Sequence, residues 1–322
     1  MGKSYNVLII GAGNIGAFFD MPYSKNVLTH AHAFSKVEGF NLLGFVDVDN
    51  KKAIEAANIW NAKAFESIEE AFTNNTIDIV SICVPDEYHY KILDEISIFS
   101  VKVVFTEKPL TKNLIEAKKI IQLYNENNIK CMINYSRRFV SQFEQIKNEI
   151  EEGKYGELLC GSGYYGKGIL HNGSHLIDLL RYIYGEIKST QTLSYNYDYY
   201  KDDASVSAIL TFNNNSNFVI QNIPASNYTI FEIDLLFEKK RIRITDSGFK
   251  IEIQEVLDSN VFKGYKNIVK TSERKTELGE ALENAVLNIY NHLKYGEKLK
   301  CNIHDAYEVI KICENLQSGR RL

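Results

Sequence analysis

Two stretches of this chain carry side chains whose types and spacing suit proton and hydride chemistry. Val104-Phe105-Thr106-Glu107-Lys108-Pro109-Leu110 ends an apolar, β-branched run and sets a lysine where a buried strand gives way to a loop. In a parallel sheet that position points into the crevice beyond the carboxyl ends of the strands, where ligands bind. An ammonium there can stabilise the alkoxide that develops as a carbinol carbon loses hydride, and it can relay the hydroxyl proton. A solvated lysine is the plainer alternative, and Glu107 and Pro109 beside it argue against that. About 65 residues later comes His171-Asn172-Gly173-Ser174-His175-Leu176-Ile177-Asp178. An imidazole titrates near neutrality and can carry a proton in either direction. Asp178, three residues after His175, shares its helical face and can orient it. His171, His175 and Asp178 also invite a metal reading, but Gly173 intervenes and no further Cys or His cluster lies nearby, so no metal is expected.

A third stretch stands at the start. Gly11-Ala12-Gly13-Asn14-Ile15-Gly16 lies between the apolar run Tyr5 to Ile10 and a helix expected from near Asn14. Gly11 permits the tight turn, Gly13 lets backbone approach a pyrophosphate, and Gly16 lets helix lie close on strand. Alone the pattern is weak, but between a strand and a helix it reads as a dinucleotide site. Asp47 ends the second expected strand, where a carboxylate hydrogen-bonds ribose hydroxyls and repels a 2′-phosphate, so NAD is expected ahead of NADP. It lies 31 residues beyond Gly16, a long interval that an insertion, Asp20-Met21-Pro22-Tyr23-Ser24-Lys25, accounts for. Its proline interrupts the first helix. Asp49 competes with Asp47 but falls past the apolar run, and Lys51 and Lys52 could hold a 2′-phosphate.

The elements that must position these residues alternate over the first part of the chain. Strands are expected at Tyr5 to Ile10, Asn41 to Val46, Ile77 to Val84, Lys102 to Thr106 and Lys130 to Asn134. Helices are expected between them, one started by the capping box at Ser67. That alternation makes a doubly wound parallel sheet, a Rossmann domain over residues 1–134. From 135 to 322 the pattern changes to a helix at Phe139 to Glu152, a strand at Leu158 to Tyr165, a helix through 174–184 and several strands in succession. Strands without intervening helices form a largely antiparallel sheet. Two late helices, Leu278 to Lys294 and one capped by Asn302, close an α+β domain with an open sheet.

Glycine loop, Glu-Lys-Pro at a strand end and histidine on a later helix, in that order, resemble the Gfo/Idh/MocA family of nicotinamide-dependent oxidoreductases. The resemblance runs over nearly the whole chain. It implies that Lys108 and His175 are catalytic, His175 as the general base that takes the hydroxyl proton or the acid that returns it, with Asp178 in support. It implies cofactor contacts at Gly11, Gly13, Asn14, Ile15, Gly16, Asp47, Glu107 and Lys108, and along Val84, Pro85 and His89, which resemble the family's proline–histidine segment beside the nicotinamide. It implies substrate contacts at Arg137, Arg138, His171, Asn172 and His175, where an arginine can pair with a carboxylate or phosphate or serve as a structural ion pair. The chain departs from the family where many members carry an aspartate four residues before the histidine. Here that residue is His171, which cannot replace a carboxylate electrostatically. It either meets an acidic substrate group, carries a second proton, or is a loop residue. The family's open sheet usually packs against another subunit, so a homo-oligomer, dimer or tetramer, is implied.

Composition narrows the function from the other side. With 322 residues, 45% hydrophobic and 24% charged, the chain suits two globular domains. Net charge of −4 gives no footprint for nucleic acid, and apolar runs are strand-sized, short of a membrane span. The start leads into a strand without a signal-peptide pattern, and Asn6 fails the myristoylation pattern that Gly2 opens. Five scattered cysteines without a C-x-x-C pair read as thiols in a reducing cytosol. The expectation is a cytoplasmic NAD-dependent dehydrogenase that acts on a secondary hydroxyl or ketone of a sugar, cyclitol or nucleotide-linked sugar. Two alternatives stand beside it. One is a glycosidase or lyase that retains NAD and uses transient oxidation; the other is a non-catalytic sensor, which has no need of Lys108 and His175.

Overall fold

A computed structural model describes residues 4–319; Gly2 lies outside them. The chain packs as two compact units. The described residues up to Phe139 join Gly279–Glu308 in the first, and Val140–Leu278 join those from Val309 onward in the second.

In the first unit, strands β1 (Tyr5–Ile10), β2 (Phe40–Val46), β3 (Lys63–Phe65), β4 (Ile79–Ile82), β5 (Val103–Thr106) and β6 (Lys130–Ile133) form one sheet in the order β3-β2-β1-β4-β5-β6. Every pairing is parallel. Helices α1 (His30–Lys36), α2 (Asn50–Trp60), α3 (Ile68–Thr73), α4 (Asp86–Ile96) and α5 (Leu114–Glu126) alternate with the strands. All residues of β4 and β5 are buried, as expected of strands covered on both faces. Strand order reverses between β1 and β4, which places the ligand crevice at their carboxyl ends. Thr29, Asp49, Ser67 and Asn113 each accept a main-chain N–H at a helix start, satisfying donors that have no intrahelical partner.

The helix expected from Asn14 is a single π-turn, Asn14–Phe18, and α1 begins only at His30. Asp20 explains the break. Its buried carboxylate accepts the Leu28 N–H at 2.7 Å and the Thr29 hydroxyl at 2.5 Å, and contacts His32 Nδ1 at 2.7 Å. The insertion is thus closed at its base. β3, three residues long, carries no readable period and was not expected.

The second unit holds α6 (Ser141–Glu151), β7 (Leu158–Tyr165), α7 (Ser174–Ile183), β8 (Ile187–Asn196), β9 (Ser205–Phe212), β10 (Asn217–Asn222), β11 (Glu232–Phe237), β12 (Lys240–Thr245), β13 (Lys250–Asp258) and β14 (Lys266–Lys275). Its sheet runs β14-β13-β12-β11-β7-β10-β9-β8, antiparallel except for β7 with β10. The α/β plus α+β class expected of the chain is the observed one. β14, mostly exposed and polar, lacks the alternation that marks a half-buried strand; register with β13 defines it.

Helix α8 (Ala281–Tyr295) packs with the first unit. Its Tyr290 ring lies 6.0 Å from that of Phe40, and Asn284 donates to the Phe139 carbonyl at 3.1 Å. The last helix, α9 (Ile303–Ser318), follows Asn302, whose Oδ1 accepts the N–H groups of His304 and Asp305. No described helix is long and apolar enough to cross a membrane.

Candidate active site

The glycine loop leaves β1 at Gly11 with φ of 95°, a conformation that favours glycine. A Cβ on Gly16 would lie 2.1 Å from the Gly11 carbonyl oxygen, and one on Gly11 would lie 2.7 Å from the Cys83 backbone. Gly13 differs: a Cβ there would meet nothing within 4 Å. That open space beside the backbone is what an approaching pyrophosphate requires. Asn14 is exposed, and Ile15 packs against the core that includes Ile9, Phe45 and Trp60.

Asp47 follows β2, and its Oδ2 accepts the Ala12 N–H at 2.7 Å while Oδ1 accepts that of Asp49 at 2.8 Å. Asp49 is used differently, as the N-cap of α2 through the Lys51 N–H at 3.1 Å. The carboxylate tied to the glycine loop is therefore Asp47. A dinucleotide fits these residues, since open space and a carboxylate adjoin one loop.

At the carboxyl end of β5, Glu107 and Lys108 are half-buried and Lys108-Pro109 is cis. Two donors meet on Glu107 Oε1: Asn134 Nδ2 at 2.6 Å and His30 Nε2 at 3.0 Å. His30 is fully buried, with Nδ1 2.7 Å from Ser81 Oγ and its ring 4.8 Å from that of Phe105. Burial by itself pushes the His30 imidazole down. Cys83 and the Glu107 carboxylate outweigh it and raise the group to about 10. Burial likewise pushes Glu107 up, but His30, Asn134 and the Lys108 ammonium hold it below the usual carboxylate range. The acid ahead of Lys108 is thus an ionised group anchored from behind. None of His30, Ser81 and Asn134 was singled out in the sequence, because each looks like an ordinary member of its element.

His89 is buried on α4, with Nδ1 2.6 Å from the Pro109 carbonyl and Nε2 3.0 Å from that of Val84. Both ring nitrogens are engaged by main chain, so His89 ties the Val84-Pro85 segment to the turn after Lys108. Arg137 and Arg138 lie on a short 3₁₀ turn, Ser136–Phe139. Arg138 is buried, with Nη1 3.1 Å from the Lys300 carbonyl and 3.2 Å from Asp305 Oδ1. Its guanidinium serves packing within the first unit. Arg137 is half-buried.

In the second unit, His175 stands in the first turn of α7 and is half-buried, while Asp178 is buried. A π-turn, Gly168–Gly173, runs straight into α7 and carries His171 and Asn172. The Asn172 amide donates to the Gly166 carbonyl at 2.9 Å. A carboxylate does lie at this turn, from another segment: Asp203 accepts the main-chain N–H of His171 at 2.8 Å and that of Leu170 at 3.0 Å. Burial raises Asp203 more than these bonds and the charge of His171 lower it. No sequence pattern pointed to Asp203, which lies 32 residues from His171.

Residues 5–135 match the family model for GFO_IDH_MocA, described as an oxidoreductase family with an NAD-binding Rossmann fold. The match to the Gfo/Idh/MocA oxidoreductase family thus spans the N-terminal sheet and its helices. Among relatives of known sequence, inositol 2-dehydrogenase of Corynebacterium glutamicum (strain R) is 27% identical over 168 residues, 51% of this chain and 46% of that protein. The chain thus spans about half the length of such curated relatives. Among solved structures, UDP-N-acetylglucosamine 3-dehydrogenase GnnA of Acidithiobacillus ferrooxidans aligns with a TM-score of 0.76 at 16% identity, covering 98% of this chain and 97% of that one. An oxidoreductase of Agrobacterium radiobacter in complex with NAD+, L-tartaric acid and magnesium aligns at 0.77 and 16%, covering 99% and 98%. At these identities the structures establish a shared fold.

Proposed function

We propose that this protein is an NAD-dependent dehydrogenase that moves hydride between the nicotinamide and a secondary hydroxyl or ketone of a sugar, cyclitol or nucleotide-linked sugar. The observation that carries the reading is Lys108 directly after the anchored Glu107 at the carboxyl end of β5, in a sheet whose glycine loop leaves room beside Gly13. Asp47, already tied to that loop, supports NAD over NADP. Bound there, the cofactor supplies or accepts the hydride. Lys108 stabilises the carbinol oxygen as it gains negative charge, and His175 takes the hydroxyl proton or returns it. Asp178 orients His175 from the next turn of α7. His89 and Glu107 hold the segments beside Lys108, and Arg137, His171 and Asn172 are assigned to the substrate. By resemblance the protein assembles as a homo-oligomer, and its scattered cysteines suit a reducing cytosol.

The test is NADH formation over a panel of cyclitols, sugars and nucleotide sugars. Lys108→Ala and His175→Ala should each lower kcat at least about 100-fold, with NAD affinity nearly unchanged, and their losses should be less than additive. Near wild-type turnover in both variants sinks the assignment. Substrate conversion without net NADH would instead favour the transient-oxidation reading.

A further inference from the structure

The turn that leads into α7 is braced in an unusual way. Lys167 and Gly168 take successive left-handed conformations, with φ of 66° and 78°. A lysine adopts that conformation only where its surroundings impose it, and such positions gather at ligand sites. Two carboxylates impose it here. Asp198 Oδ2 accepts the Lys167 N–H at 3.1 Å and the Ala225 N–H at 3.0 Å, and Oδ1 accepts the Ser205 hydroxyl at 2.5 Å. Ser205 Oγ accepts in turn from the Gly168 N–H at 2.8 Å. Asp203 holds the Leu170 and His171 N–H groups and the Gln317 amide, the last at 2.7 Å. Gly168 has to be glycine, since a Cβ there would lie 2.0 Å from Asp203 Oδ2. Both acidic groups are thus engaged by hydrogen-bond donors that fix the backbone.

The side chains presented by this fixed turn are of the opposite character. Lys167 Nζ lies 5.3 Å from the Tyr199 ring centre, and the His171 ring lies 4.5 Å from that of Tyr200. The two tyrosines meet edge-on at 4.8 Å, and Tyr199 is 61% exposed. An ammonium and an imidazole, each against an aromatic ring, stand on the segment that begins α7. His175 follows His171 by four residues and so faces the same side.

We propose that Lys167, His171, Tyr199 and Tyr200 form a subsite for an oxyanion carried on a sugar ring, either a carboxylate or a phosphate ester. Ammonium and imidazole supply charge-assisted hydrogen bonds to the anion. The tyrosines present flat amphipathic faces to the ring that bears it. The subsite rests on the dehydrogenase reading only in taking the substrate of His175 as its ligand, and it narrows that substrate to an acidic sugar. It also gives His171 a purpose that an aspartate, which would repel the same group, could not serve.

The test is calorimetric titration of the full-length protein, with NAD present, using glucose, glucuronate and glucose 6-phosphate, which share one ring. Glucuronate or glucose 6-phosphate should bind at least about tenfold more tightly than glucose, and whichever does identifies the anion as carboxylate or phosphate. Lys167→Asn, which keeps a side chain tolerant of the left-handed region, should abolish the preference while NAD affinity and melting temperature hold. Lys167→Arg should retain it. Equal affinity for the three sugars, failure of both anions to bind, or a preference that survives Lys167→Asn overturns the proposal. No turnover enters this measurement. Anion preference without hydride transfer would leave the subsite standing and remove the dehydrogenase reading; hydride transfer on neutral sugars without anion preference would do the reverse.

Discussion

Asp47 has two tasks that one substitution can separate. Its carboxylate accepts the Ala12 N–H inside the glycine loop, and in the proposed function it meets the ribose of the bound dinucleotide. Asp47→Asn keeps an acceptor for Ala12 but loses the charge that repels a 2′-phosphate. It should therefore retain NAD binding within about tenfold while the preference over NADP narrows or reverses. Asp47→Ala should weaken both cofactors, because the loop loses its tie. Parallel titrations decide this, and an unchanged preference in Asp47→Asn would move the discrimination to Lys51 and Lys52. His30 offers a second measurement at this scale. Its folded value, about 10, stands above the ordinary 6.5, so its contribution is complete below pH 6.5 and is lost as pH rises through about 10. Glu107 runs the other way, contributing above the ordinary carboxylate range and losing that as pH falls through its lowered value. Removing one partner of a buried ion pair costs about 3–5 kcal/mol. His30→Gln should show a loss of that order near neutral pH, shrinking toward pH 10 in urea melts. A gap that stays flat with pH would mean that the folded imidazole is neutral.

At the scale of elements, the glycine loop separates fold from function within six residues. Gly16 sits against the Gly11 carbonyl, whereas Gly13 faces open space. Gly16→Ala should destabilise the protein by about 1–3 kcal/mol, the usual cost of overpacking. Gly13→Ala should leave stability within about 0.5 kcal/mol and still lower dinucleotide affinity at least about tenfold, because its methyl group occupies the approach to the pyrophosphate. Thermal melts with and without NAD read both effects, since a ligand bound only by the native state raises its stability. Equal melting temperatures and equal NAD shifts in the two variants would remove the distinction. The π-turn ahead of α7 follows the same logic: Asp203 holds the main-chain N–H groups of Leu170 and His171, and the proposed anion subsite draws on the side chains of Lys167 and His171.

For the molecule as a whole, the chain order and the packing order differ. After the second sheet is complete the chain returns to the first unit through residues 279–308. There Asn302 bridges to Met132, the Ile133 N–H donates to Cys301 at 3.0 Å, and Arg138 pairs with Asp305. Gly39 is shaped to the Tyr290 ring, which a Cβ would approach to 2.2 Å. A fragment of residues 1–139 therefore lacks the partners of β6, Arg138 and Phe40. It should unfold without a cooperative transition or aggregate, while the same fragment linked to residues 279–308 should melt cooperatively and bind NAD. Calorimetry of the two fragments checks this, and a sharp, reversible transition in the shorter one would show that α8 is dispensable.

What could be read from the sequence was whatever a local pattern announces. The glycine loop declares itself between an apolar strand and a turn, Lys108 by the end of a β-branched run, and the switch from alternating elements to successive strands separates the two sheets. Helix caps at Ser67 and Asn302 are equally local, as donor and acceptor lie two to three residues apart. The choice between Asp47 and Asp49 was not local in this sense. Both follow the same strand, and the fold shows one carboxylate on the glycine loop and the other on a helix cap. His30, Ser81, Glu107 and Asn134 come from four separate segments, and they meet because a doubly wound sheet aligns the carboxyl ends of its strands. Asp203 reaches beneath His171 from a distant loop for a similar reason: buried main-chain donors must be satisfied, and the nearest carboxylate in space was not the nearest in sequence.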